Sequence, residues 1–205
     1  MRFSIICPSY LGDYPNAAKD RDRKLVRMIN SVMAQTFQDF ELIIVSDGCE
    51  KTIKICEPYI QEYYPKIKLF GIPKQKIWSG AVRNAGISKA QGDIITYIDT
   101  DDIIGENHLK IIDANFDTCD WAYADHYIWN EHQENFIPYR TNIDVHGKCG
   151  TSSISHRRSL NAFWLNNSYS HDFDFINTLK SLSKNYKKMH PTQYKVCHTP
   201  NGIDY

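Results

Sequence analysis

The chain has 205 residues, 42% of them hydrophobic, which suffices for one well-buried core and is short for two. Its 24 Lys and Arg balance 24 Asp and Glu, so no overall basic field draws it to nucleic acid or to an acidic membrane surface. Six scattered cysteines without a CxxC pair argue against a zinc knuckle and read as reduced, mostly buried thiols. The opening MRFSIICPSY is too short for a signal or spanning segment, and no later stretch approaches the ~18 apolar residues of a membrane helix. A soluble, cytoplasmic protein with no transmembrane segment and no nucleic-acid partner is expected.

Phe3 to Cys7 is a short apolar run stopped by Pro8, and a second run from Glu41 to Ser46 is stopped by Asp47-Gly48. Between them, Leu25, Met28, Ile29, Val32 and Met33 fall on one face of a helix. Lys51 to Tyr64 repeats the helical pattern, Ile67 to Phe70 is a third strand, Ser79 to Ala90 a helix closed by Gly92, and Asp93 to Ile98 a fourth strand. This order implies right-handed crossovers and a mostly parallel sheet covered on both faces. Ligands of such sheets bind beyond the carboxyl ends of the strands, and three of those ends carry PSY, SDG and DTDD.

After about residue 115 the rhythm changes. Asp120 to Trp129 and Glu134 to Thr141 read as strands in which Tyr, Trp and His replace aliphatic residues. Trp121, Tyr123, Trp129, Tyr139 and Trp164 suit sugar faces, although aromatic rings also fill cores. Gly147 to Ser153 reads as flexible, Arg158 to Asn166 and Asp172 to Lys184 as helices, and Tyr194 to His198 as a last strand.

YIDTDD sets Asp99, Asp101 and Asp102 directly behind an apolar run. Like charges this close repel. A turn in which Asp101 or Asp102 caps a helix beginning near Glu106 is one reading. The other is a divalent cation, Mg²⁺ or Mn²⁺, which takes carboxylate oxygens and completes its shell with water and phosphate oxygens.

The ordered set PSY, VSDG, GAVRNAG, YIDTDD, HDFDF and a C-terminal His resembles the inverting GT-A-fold glycosyltransferases of family 2, over nearly the whole chain. The resemblance implies a single α/β GT-A domain over residues 1–205, with a Rossmann-like, mostly parallel central sheet flanked by helices. Residues 1–115 would bind a nucleotide sugar, and the mixed half, 116–205, the acceptor. Pro8, Ser9 and Tyr10 match the nucleoside-lining segment, and Asp47 the acid that accepts the base N3–H of uracil or thymine. Arg83 and Asn84 match the segment beside the donor diphosphate. Asp99 would face the ribose, with Thr100 beside it, and Asp101 the metal, Mn²⁺ or Mg²⁺. Asp102 is a second candidate ligand, not separable from Asp101 at this level, and His198 matches the histidine that completes the metal shell.

Asp172 matches the catalytic base that takes a proton from the acceptor hydroxyl. Asp174 stands close by, an N-cap is the plainer role for either, and His171 departs from the glutamate usual there. The implied reaction moves a sugar from a UDP-sugar or dTDP-sugar to a hydroxyl of a glycan or glycoprotein. A sugar-phosphate nucleotidylyltransferase would carry a glycine-rich, basic signature after the first strand, which PSYLGDYPN lacks. A non-catalytic, metal-dependent nucleotide- or carbohydrate-binding module needs the same pocket without turnover. The chain is short for the family and ends soon after His198, which fits a catalytic domain taken from a longer protein.

Overall fold

The structure, a computed structural model, describes residues 1–14, 17, 19–75, 79–165, 171–189 and 192–197. Its first part runs β1 (Phe3–Ser9), α1 (Arg21–Met33), β2 (Phe40–Asp47), α2 (Glu50–Glu62), β3 (Ile67–Ile72), α3 (Gly80–Ile87) and β4 (Ile94–Tyr97). The remainder runs β5 (Ile103–Ile104), α4 (His108–Asp113), β6 (Trp121–Tyr123), β7 (His126–Asn130), β8 (Asn135–Tyr139), β9 (Ile154–Arg157), α5 (His171–Leu182), β10 (Tyr186–Lys188) and β11 (Tyr194–Val196).

Seven strands form the central sheet in the order β10-β6-β9-β4-β1-β2-β3. Neighbours β3, β2, β1 and β4 pair in parallel, whereas β9 runs antiparallel to both β4 and β6. The expected mostly parallel α/β sheet is therefore present. Alternation along its middle strands divides the core: Leu42 and Ile44 of β2 join Leu25, Met28 and Ile29 of α1, while Ile43 and Val45 join Val82 of α3 and Phe175 of α5. Both faces are thus covered, the usual condition of parallel strands. Helix α3 lies close on the sheet because a Cβ at Gly86 would stand 2.6 Å from Ile6 Cγ2, so any larger residue there would lift the helix.

A smaller sheet, β5-β11-β7-β8, packs the later segments. Here the sequence expectations need correction. The run Asp120–Trp129 is not one strand: it divides at Ala124–Asp125 into β6 of the large sheet and β7 of the small one. Asp125 anchors the break, since its Oδ1 accepts the Thr141 N–H at 2.8 Å and lies 2.7 Å from Lys188 Nζ. The helix expected over 158–166 is replaced, among the described residues, by a 3-10 turn, Arg158–Leu160, ended by Asn161 in a left-handed conformation at φ 50° and followed to 165 by irregular chain. The Asn84 side chain takes both the Trp164 N–H and the Trp164 carbonyl, which removes them from helical bonding. The segment read as flexible contains a 3-10 turn, Thr151–Ser153, with Thr151 and Ser153 buried. Strand β10 has no counterpart in the sequence reading. Among the described residues, no helix is long and apolar enough to cross a membrane.

Candidate active site

A cavity of about 840 Å³ opens at the carboxyl ends of the parallel strands. Its wall takes Pro8, Ser9 and Tyr10 from the end of β1, Asp47 from the end of β2, and Lys74 and Gln75 from beyond β3. Arg83 enters from α3, Asp99, Thr100 and Asp101 follow β4, and Thr151, His171 and Asp172 close it from the mixed half.

At one end Asp47 is nearly enclosed, its side chain 8% exposed. Lys74 Nζ donates to its Oδ2 at 2.7 Å and the Gln75 N–H to its Oδ1 at 2.6 Å. The same ammonium lies 4.1 Å from the centroid of the Tyr10 ring, a cation–π contact that keeps one face of the ring polar. Gly48 makes this possible. Its φ is +61°, and a Cβ would meet the Lys74 backbone nitrogen at 2.7 Å, so only glycine allows the chain after β3 to close over Asp47. Beyond β1, Arg21 donates to the carbonyls of Tyr10 at 2.9 Å and Gly12 at 2.7 Å, fixing the loop that carries the ring.

In the middle, Arg83 is 3% exposed and donates from Nη2 to Asp99 Oδ1 at 2.8 Å. It also donates to Ser79 Oγ and lies over the Trp164 ring. Burial alone would weaken its charge, yet Asp99 and Asp172 hold the guanidinium above its ordinary pKa. Burial raises the Asp99 carboxyl; Arg83 opposes the rise, and Asp101 and Asp172 add to it. This is a site with more negative charge than its one buried arginine neutralises. Asp101 lines the cavity, and Arg27 Nη2 donates to its carbonyl at 2.8 Å.

From the mixed half, Asp172 sits in the first turn of α5, an end where the helix dipole favours an acid. Thr151 Oγ1 donates to its Oδ1 at 2.9 Å. His171 Nε2 stands 3.4 Å from the same oxygen and 3.4 Å from Arg83 Nη1, so it joins the two walls.

Residues 17–169, most of the chain, match the family described as Glycosyl transferase family 2. The chain belongs to that family. An uncharacterized glycosyltransferase of Haemophilus influenzae is 36% identical over 105 residues, 45% of this chain and 41% of that protein. S. aureus TarS, solved with UDP-GlcNAc, superposes with a TM-score of 0.72 at 20% identity over 96% of this chain and 58% of that one. The mannosyltransferase PcManGT of Pyrobaculum calidifontis, solved with GDP-Man and Mn²⁺, gives 0.66 at 12% identity over 96% and 56%. At these identities the solved structures establish the GT-A fold. The chain spans under half the length of the curated relatives it matches first.

Within this family 2 chain, the cavity gathers most residues singled out from the sequence and sets two of them apart. Asn84 faces away: its Nδ2 donates to the Trp164 carbonyl at 2.8 Å and its Oδ1 accepts the Trp164 N–H at 2.7 Å, which seats Trp164 beneath Arg83. Asp102, 3% exposed, is absent from the cavity wall. Its Oδ2 accepts the Tyr194 hydroxyl and its Oδ1 the Cys197 N–H, both at 2.7 Å. Burial pushes its carboxyl well above the usual range, with Asp101 and Asp99 adding and these two donors opposing. His198 lies outside the described residues. Thr151 stands in the segment Gly150 to Ser153, which resembles the family's loop between donor and acceptor, whereas Lys74 and Gln75 were missed from the sequence, where Lys74 is one lysine among many; the signal was positional, since both follow the end of a parallel strand. Neither Asp101 nor Asp102 caps a helix, because β5 intervenes before α4.

Among the described residues, no three His, Cys, Asp or Glu side chains converge as a metal cage made of protein alone. Mg²⁺ and Mn²⁺ do not need one. They are commonly held by one or two carboxylates with phosphate oxygens and water, and Asp101, on the cavity wall in an acid-rich surround, fits that pattern.

Proposed function

We propose that the chain is the catalytic part of a metal-dependent, inverting glycosyltransferase that moves a sugar from a UDP-sugar or dTDP-sugar to a hydroxyl of a glycan or glycoprotein. The observation that carries this reading is one cavity whose wall runs from a buried, hydrogen-bonding acid, Asp47, past an arginine flanked by Asp99 and Asp101, to an acid on a separate element, Asp172. TarS, solved with UDP and with UDP-GlcNAc, and PcManGT, solved with a nucleotide sugar and Mn²⁺, support the nucleotide-sugar part.

Asp47 accepts the N3–H of the base, a contact open to uracil and thymine and closed to cytosine, which has no proton there. Tyr10 offers the flat surface beside it. Asp99, braced by Arg83, faces the ribose. Asp101 would hold the cation, and a divalent ion bound there supplies Lewis-acid neutralisation of the leaving diphosphate. Arg83 adds fixed positive charge on the same side. Asp172 takes the proton from the acceptor hydroxyl, and one displacement by that oxygen, with the nucleoside diphosphate leaving, inverts the anomeric centre. Thr151 orients the carboxylate so that Oδ2 is the oxygen left to face the acceptor.

The test is a thermal-shift panel of UDP, dTDP, CDP and ADP with and without Mn²⁺. Binding to the folded state raises apparent stability by mass action. UDP and dTDP are expected to stabilise the protein more with Mn²⁺ than without it, with CDP and ADP inert. A shift with CDP equal to that with UDP, or none with any diphosphate, would overturn the reading.

A further inference from the structure

Asp102 is a buried carboxylate beside two other acids. Burying an ionised group in such company is costly, and an apolar residue of similar size would join two segments at lower cost. What a carboxylate adds is direction. Its two oxygens fix two donors from the far end of the chain, the Tyr194 hydroxyl and the Cys197 N–H, each at 2.7 Å. The Tyr194 hydroxyl in turn accepts the Asp99 N–H at 3.1 Å. One phenol therefore ties both shoulders of the acidic turn, residues 99 and 102, to β11.

The remaining contacts close the frame. β5, directly after the turn, pairs antiparallel with β11 through Ile104 opposite Tyr194 and Ile103 opposite Lys195. From the other side, α1 sends Arg27 to the Asp101 carbonyl at 2.8 Å. The turn around Asp101 is thus braced by α1 and by β11, and Asp101 lines the cavity.

We infer that Asp102 and Tyr194 are positioning residues for metal binding: they clamp the acidic turn to β11 and so aim Asp101 at the cation, and Asp102 itself is not a ligand. The inference rests on the reading of the site given under Proposed function. Groups that orient a metal ligand through hydrogen bonds typically cost about 10- to 100-fold in metal affinity when removed.

Tyr194→Phe deletes the hydroxyl and keeps the ring against His108, and Asp102→Asn replaces an acceptor oxygen with a donor facing another donor. Isothermal titration of Mn²⁺ into the UDP-saturated protein is expected to show affinity reduced about tenfold in Tyr194→Phe and further in Asp102→Asn. Uridine titrated in EDTA is expected to lose less affinity than Mn²⁺ in both variants, because Asp47 and Tyr10 lie outside the clamp and only Asp99, of the groups facing the nucleoside, is tied to it. Equal losses of Mn²⁺ and uridine affinity would make the pair merely structural and overturn the inference, as would wild-type Mn²⁺ affinity in Tyr194→Phe. If Asp102→Asn does not fold, Tyr194→Phe decides alone. Wild-type protein without Mn²⁺-dependent UDP binding would instead overturn the underlying reading of the site, and the clamp's purpose with it.

Discussion

The chain up to the acidic turn and the chain beyond it reach the same cavity by different means. Before and at the turn one rule repeats: a parallel strand ends, and the residues at or just past its end line the cavity. Pro8 to Tyr10, Asp47 and Asp99 to Asp101 all follow it. Beyond the turn the strands divide between two sheets, and the residues that reach the cavity come from a 3-10 turn and a helix start, Thr151 and Asp172. A repeated rule places several binding groups at once, whereas the base on the far wall depends on a single element being docked correctly.

The sharpest way to separate the two regions is Asp172→Asn. It should lower sugar transfer, followed as released nucleoside diphosphate, by about 10²- to 10⁴-fold, the usual contribution of a general base, and leave UDP affinity unchanged by calorimetry. A variant transferring at the full rate would remove Asp172 as the base.

Arg83→Met tests the near wall. It removes the cation beside Asp99 and two further acids, and a hydrogen bond to a charged group contributes about 1.5–3 kcal/mol. UDP should bind correspondingly more weakly, and uridine, which lacks the diphosphate, should lose less. Equal losses for UDP and uridine would place Arg83 with the nucleoside instead.

Gly48→Ala reaches the nucleoside end alone. The left-handed backbone costs about 1–2 kcal/mol for a residue with a Cβ, and the approach to the Lys74 backbone must loosen. Both uridine and UDP should weaken together, with Mn²⁺ affinity of the UDP complex unaffected.

The smallest effect near neutrality concerns stability. Beyond the turn lie buried histidines: burial lowers His108 to about 3 and His126 and His156 to about 4, from a usual 6.5. Between those values and 6.5 the unfolded chain binds more protons than the folded one, so stability falls as pH drops through that window. His156→Gln should flatten the slope of the urea midpoint against pH between about 6.5 and 4, at some cost at neutral pH through loss of the 2.7 Å contact with the Tyr97 hydroxyl. An unchanged slope would show that His156 does not titrate on unfolding.

Legibility followed the same division. The fully buried run of β2 and the helical face of Leu25, Met28, Ile29 and Val32 are local patterns, and both elements stand where periodicity puts them. Trp121 and Trp164, counted among the aromatic residues suited to sugars, are 0% and 2% exposed. Trp121 stacks on Tyr186 at 4.3 Å and Trp164 on Phe175 at 3.9 Å. A ring's chemistry is the same in a core and in a binding surface, so composition could not separate them. Likewise β9 and β10 are short strands stabilised by their neighbours, and nothing within four or three residues announces that.

The sequence by itself determined the parallel α/β order and where its strands end, because alternation, helical spacing and the residues that stop a strand act over a few positions. It also set which acids would be crowded together at residues 99 to 102. Only the tertiary structure decided which of them face the cavity. Asp101 lines the cavity and Asp102 turns to Tyr194 and Cys197, more than ninety positions away, since two adjacent carboxylates have the same intrinsic chemistry and only the donors packed around each one distinguish them.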